Sequence, residues 1–236
     1  MDNIKTIFQK ELRSYFDSPI AYVVIVVFLV LLGWFFTSTL FLANVASLRT
    51  VFETAPFLLL FFGPAITMRL ISEEKKSGTI ELLTTKPIKD HEIIVGKFIA
   101  SWTLYLIALI PTLFYYITIS ILGSLDIGPV IGGYLGLLLV GGVFLSIGVL
   151  GSSLTENQVV AFILSFLLVF VLFILDKVLL FVPGGIASIL EYLSIDYHFS
   201  NIARGVIDTR DIIYYFSAMG LMLYLSTVVL SKRRWS

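Results

Sequence analysis

Apolar residues gather in six stretches, each long enough to cross a hydrocarbon core about 30 Å thick, which takes roughly 20 helical residues. They run from Ile20 to Phe41, Ala55 to Ile71, Phe98 to Leu122, Val130 to Leu154, Val159 to Phe181 and Ile212 to Leu230. The first is too long for the apolar core of a signal peptide and no small-x-small site follows it, so it reads as a retained helix. Three other segments carry a different pattern. Near the amino terminus Ile4, Ile7, Phe8, Leu12, Tyr15 and Phe16 recur at helical spacing, with Lys5, Lys10, Glu11 and Arg13 on the other side. This predicts a helix lying in the headgroup plane, apolar face down; a basic flank that happens to be helical is the alternative. Pro19 then turns the chain into the bilayer.

The second patterned segment, Met68 to Lys97, is the only long charged run. It holds six of the 16 Lys/Arg and five of the 16 Asp/Glu. Within it Ser77 and Gly78 precede a short run, Thr79 to Thr85, that Pro87 stops; Ile80, Leu82 and Leu83 form an apolar face beside Glu81 and Thr84. A helix this short is unstable alone, because isolated helices below roughly 12 residues are marginal. It therefore needs something to dock into, unless the segment is a solvated connector whose charges only set topology. Asp90 is placed to cap the next helix, with Glu92 in its first turn.

The third segment, Val182 to Asp211, holds two helical patterns too short to span: Ile186, Ile189, Leu190 and Leu193, then Phe199, Ile202, Ala203, Val206 and Ile207. They predict a re-entrant or interfacial cap on the external side, with Glu191, Asp196, Arg204 and Asp208 toward water or a pore mouth. Asp208 to Asp211 supplies caps and charge for the last span.

Composition agrees with a polytopic helical membrane protein: 58% hydrophobic, 14% charged, mean hydropathy +0.99. The net charge is zero, so its distribution carries the information. Twelve of the 16 Lys/Arg lie in the amino-terminal segment, the charged run and the tail, which puts both termini and that run in the cytoplasm. Ionisable residues are nearly missing from the spans. Arg69, Asp176 and Lys177 sit near span ends, where long side chains snorkel. No carboxylate or histidine falls at a midplane, which argues against a proton- or sodium-coupled carrier. The fourth span concentrates glycine, and Gly132 and Gly136 have the small-xxx-small spacing that permits close helix approach. Pro64 and Pro111 are candidate kinks, and Trp34, Trp102 and Trp235 fit interface anchors. Glu156 reads as a turn residue.

Catalytic patterns are absent from the sequence. Cysteine is missing, Gly96-Lys97 lacks the glycine-rich turn of a phosphate loop, and His91 and His198 have no HExxH spacing. No nucleotide hydrolysis, metal site, cofactor or nucleic-acid partner is expected of this chain itself.

The run Met68-Arg69, Glu73-Glu74-Lys75, Gly78-Thr79-Ile80-Glu81-Leu82-Leu83, Lys86-Pro87 and Gly96-Lys97 resembles the signature of ABC-2-type transporter permeases between their second and third spans. The amino-terminal KELRSYFDSPIAY and the late YHFSNIARGVIDTRDIIYY resemble the gliding-motility-associated subgroup, over nearly the whole chain. The resemblance implies a single permease domain, residues 1–236, in the bacterial inner membrane. The fold implied is all-α: six transmembrane helices with an amino-terminal interfacial helix, a short cytoplasmic coupling helix and two short external helices. It implies two copies of a separate ABC ATPase subunit that carry ATP and Mg, a second permease half, identical or related, and an extracytoplasmic accessory protein as a further partner. Glu73, Glu74, Gly78, Thr79, Glu81, Leu82 and Leu83 would form the coupling segment: Gly78 permitting the turn, Leu82 and Leu83 seating in the ATPase, the acids setting register. The second and fifth spans would face the partner half and the substrate route. An ATP-independent channel or carrier, and a membrane anchor for an extracytoplasmic apparatus, stay open as alternatives.

Overall fold

The computed structural model describes residues 2–42, 47–80, 88–123, 126–178 and 184–232. Among these, every regular element is helical. Six helices are long and apolar enough to cross a membrane, where the apolar stretches place them, and the chain is a multi-pass membrane protein. Six crossings leave both ends of the chain at one face of the bundle, called here the terminal face; the opposite one is the distal face.

Helix α1 (Asp2–Asp17) ends at Ser18, whose backbone is extended and whose hydroxyl accepts the Ile20 N–H at 3.3 Å. Pro19 opens α2 (Pro19–Phe41), the first span, at the position where a missing N–H costs nothing. The second span, α3 (Arg49–Thr67), runs through Pro56 and Pro64; after a break at residues 68–71 the chain resumes as α4 (Ser72–Lys76). The third span is α5 (Asp90–Leu109), a 3-10 turn around Pro111 (Ile110–Thr112) and α6 (Leu113–Leu122), so Pro111 does interrupt it. The fourth and fifth spans are α7 (Ile127–Leu154) and α8 (Gln158–Val178). Two short helices follow on the distal face, α9 (Gly184–Leu193) and α10 (Ile195–Ala203), before the last span, α11 (Thr209–Ser231). Helix α10 stops sooner than its periodicity suggests. Gly205, at φ +87°, turns the chain out, so Val206 and Ile207 lie beyond the helix, 63% and 49% exposed.

The fourth span is the post around which the rest is arranged: 78% of its most apolar stretch is buried, against 17% for the fifth and sixth spans. Between helices in lipid there is no hydrophobic drive, so close packing and inter-helix hydrogen bonds must hold them. Gly132 and Gly136 provide that closeness, and the element they admit is α10 rather than another span. Gly132 lies under the Ile202 carbonyl and Gly136 under the Phe199 ring. From the third span, Trp102 Nε1 donates to the Leu138 carbonyl and the Tyr105 hydroxyl to the Leu137 carbonyl, each at 3.0 Å. Trp102 is therefore turned into the bundle, not anchored at an interface; Trp34 is 69% exposed and free to act as one.

A methyl at residue 132 would run into the Ile202 carbonyl, whereas one at Gly220 meets open space. Gly132→Val should cost about 1–3 kcal/mol by overpacking and lower the thermal unfolding midpoint in detergent, while Gly220→Val leaves it unchanged. Equal midpoints for the two variants would show that α10 does not rest on the fourth span.

Candidate functional site

The terminal face is where the charged run, α1 and the start of the third span come together. Helix α1 packs lengthwise on α5, so its apolar face meets protein instead of lying on lipid alone. Ile7 and Tyr15 are buried, and Ile4, Phe8, Leu12 and Phe16 are half-buried. Gly96 lets the two helices touch: a Cβ there would meet the Ile7 side chain at 2.8 Å. The physical reason is that α5 begins at Asp90, well before the apolar run at Phe98, and offers buried Ile93, Ile94 and Gly96 as a docking strip.

Each helix carries one ionic residue inside its apolar stripe. Glu11 lies four residues after Ile7 and four before Tyr15, and Lys97 four after Ile93 and four before Ser101. The two meet. Lys97 is 1% exposed, and its Nζ is 2.8 Å from Glu11 Oε1 and 3.0 Å from Glu74 Oε1. Lys10 approaches Glu74 Oε1 at 3.4 Å from the more exposed side. Two cations and two carboxylates thus close a neutral cluster that joins α1, α4 and α5. A lone ion buried this deeply would cost several kcal/mol, which is why the three helices must come together for Lys97 to be tolerated.

Helix α4 is held from the fourth span as well. Ser152 Oγ accepts the Ile71 and Ser72 N–H groups at 3.0 and 3.1 Å and donates to the Met68 carbonyl at 2.9 Å, so one hydroxyl satisfies the break between α3 and α4. Lys75 Nζ donates to the Ser153 carbonyl. Tyr15 ties α1 to the end of the second span: its hydroxyl donates to the Ile66 carbonyl at 2.8 Å, and the Arg69 guanidinium sits 5.1 Å over its ring. Burial, with the Glu11 carboxylate adding to it, pushes the Tyr15 phenol far above its usual value against the opposing pull of Arg69, so it stays a donor. At the start of α5, Lys89 rather than Asp90 is the N-cap residue and Glu92 closes the capping box, accepting the Lys89 N–H at 2.9 Å and the Asn3 amide at 3.1 Å.

Of the expected coupling residues, Glu73, Gly78 and Thr79 are exposed, and Gly78 adopts φ +69°, a turn that suits glycine. The Thr79 hydroxyl lies 2.9 Å from that of Ser77. Glu74 is committed within the chain to Lys97, which leaves Glu73 as the exposed acid of the pair. Ile80 is buried. Glu81, Leu82 and Leu83 lie outside the described residues. On the distal face Glu191 and Arg204 are exposed, Asp196 binds Lys177 at 2.9 Å, and Asp208 caps α11 by accepting the Arg210 N–H at 2.9 Å.

Sequence periodicity also passed over a buried pair on that face. His198 Nε2 donates to the Tyr192 carbonyl at 2.9 Å, and its Nδ1 faces Asp211 Oδ1 at 2.6 Å with the Tyr214 ring stacked 4.0 Å away. The last span is thereby fastened to α9 and α10, with the Tyr215 hydroxyl donating to the Ile195 carbonyl at 2.9 Å. The readable signal for Glu11 and Lys97 was an ionic residue in register with an apolar stripe; for His198 it was its place four residues before Ile202, on the buried face of α10.

Six spans, a charged helix pair folded onto the terminal face and a helical cap on the distal face define a polytopic all-α membrane protein. Residues 40–231 match the family model described as ABC-2 family transporter protein. The chain belongs to that family and is a transmembrane permease component of an ABC transporter, a family of membrane transport subunits. No curated protein matches the chain.

Removing the Lys97 ammonium strands two mostly buried carboxylates. Lys97→Met should therefore destabilise the detergent-solubilised protein by about 3 kcal/mol, and adding Glu11→Gln with Glu74→Gln should restore most of the lost melting temperature. A triple variant no more stable than Lys97→Met would show that the charges are not what binds the three helices.

Proposed function

We propose that this chain is the permease half of an ATP-driven exporter in a bacterial inner membrane, with both termini and the Met68–Lys97 segment in the cytoplasm. The observation that carries the reading is the Lys97 cluster. It makes one body of α1, α4 and α5, and α4 and α5 flank in sequence the residues 81–87, where the family resemblance puts the contact with an ATPase. Two copies of a separate ABC ATPase subunit hold ATP and Mg, and a second permease half, identical or related, completes the route. Closure of the ATPase pair pushes on Gly78, Thr79, Glu81, Leu82 and Leu83. From there the displacement passes through Glu74 and Lys97 to the third span and through Ser152 to the fourth. ATP drives this by binding the closed state of the complex more tightly than the open one. The permease supplies no catalytic group; its work is mechanical.

The amino-terminal and late motifs favour the gliding-motility-associated subgroup, in which the moved object is a secreted component or the force itself. The distal cap of α9 and α10 supports this finer reading, since it offers the exposed Glu191 to an extracytoplasmic accessory protein.

A mild-detergent pull-down of the tagged chain from its native membranes tests the proposal. An ATP-binding subunit should co-purify with the native chain and be lost with the inserted Leu82→Asp, Leu83→Asp variant. Recovery of the ATPase with both forms would move the coupling site elsewhere; its absence from both, with other transporter complexes intact, would favour an ATP-independent channel or an anchor. In membranes containing the whole complex, Glu81→Lys should leave insertion unchanged while ATP hydrolysis no longer tracks transport.

A further inference from the structure

The distal face carries a cleft of about 920 Å³, in the size range of small-ligand sites, set between the starts of the second and fourth spans, the end of the fifth, and α10. Its lining is graded by depth. At the helix ends stand charges: Arg49, the first residue of α3; Asp126, the N-cap of α7; and Lys177, in the last turn of α8. One turn further in, about 5.4 Å along each helix, the lining becomes Phe52, Val130 and Phe173, and Phe199 of α10 closes the side. A polar level above an apolar level, at the ends of membrane spans, is the layout met by a lipid at its headgroup and first acyl carbons.

The charges narrow the headgroup. Arg49 is paired with Glu53 at 2.7 Å, and Lys177 with Asp176 and Asp196 at 3.0 and 2.9 Å. Two lining charges stay uncommitted. Arg204, exposed at the end of α10, has no carboxylate within ion-pair distance among the described residues. Asp126 spends one oxygen on the Gly128 N–H at 3.1 Å and has no cation within ion-pair distance among the described residues. Both side chains reach solvent, and one guanidinium and one carboxylate lining the same cleft complement a ligand that carries both an anion and a hydrogen-bonding cation. A purely anionic headgroup would leave Asp126 unanswered, and a quaternary ammonium has no N–H to give it.

We propose that this cleft binds a zwitterionic phospholipid with a primary ammonium, of the phosphatidylethanolamine type, its phosphate on Arg204, its ammonium on Asp126 and its upper acyl carbons against Phe52, Phe173 and Phe199. The bilayer is the source, because the cleft lies at the level of the span ends. The site depends only on the six-span architecture, so it stands or falls separately from the ATPase-coupled reading and from the orientation of the protein.

Native mass spectrometry of the delipidated full chain in detergent tests it, with phosphatidylethanolamine, phosphatidylglycerol and phosphatidylcholine titrated separately. The first should bind about tenfold more tightly than the other two. Asp126→Asn, which keeps a good helix cap while removing the charge, and Arg204→Gln should each erase that preference; Arg210→Gln, an exposed cation outside the cleft, should not. Phosphatidylglycerol binding as tightly as phosphatidylethanolamine, or a preference that survives both cleft variants, overturns the proposal. So does displacement of the lipid by equimolar glycerophosphoethanolamine, which would make this a site for a soluble zwitterion. Should a variant lose its fold, the order of the three lipids on the unaltered chain still decides.

Discussion

Most of this bundle depends on how closely its helices approach the fourth span. In lipid the solvent around the helices is as apolar as their own side chains, so burial by itself contributes little and the attraction must come from packed contact and backbone hydrogen bonds. A helix rich in glycine answers that constraint. Neighbours sit near enough for the Trp102 and Tyr105 side chains to reach α7 carbonyls, and the cap helix α10 rests directly on Gly132 and Gly136. The fifth and sixth spans, by contrast, show most of their surface outward, as elements facing lipid or another subunit do.

Against that apolar background the cluster around Lys97 has a different use. Replacing buried ion pairs with well-packed apolar residues is often neutral or stabilising, so such clusters are weak evidence for stability as such. What the pairing imposes here is register: α1, α4 and α5 fit together only where Lys97 reaches both Glu11 and Glu74. The Ser152 hydroxyl does the same for the break between α3 and α4, joining the second span to the end of the fourth. Helices α1, α4 and α5 are thereby linked to the second, third and fourth spans. The distal face has its counterpart in His198 and Asp211, whose contact fastens the cap to the last span.

The architecture was legible at the level of spans and short helices. Each apolar stretch overlaps one of the six long helices, Pro19 opens the first span, Pro111 interrupts the third, and the two short helices precede the last span. These features are local: a long apolar run has only one way to satisfy its backbone in lipid, and proline acts on its own turn. The positions that misled are those whose partner is remote in sequence. Glu11 reads as a residue of the polar face, Lys97 as a loop charge and Trp102 as an interface anchor until the opposing helix is placed. Val206 and Ile207 continue the period of α10, yet the backbone at Gly205 had already ended that helix.

The sequence by itself determined the class of the protein, the number and approximate places of its spans, and the segment in which its polar chemistry is concentrated, because each of these follows from hydrophobicity and helix period along the chain. Only the tertiary structure decided which charges are buried, that α1 lies on protein, and that the glycine pair of the fourth span receives a cap helix. Those outcomes turn on pairings between residues as far apart as Glu11 and Lys97. Whether a charge is solvated or buried depends on what is packed against it, which helical period along one strand of sequence does not contain.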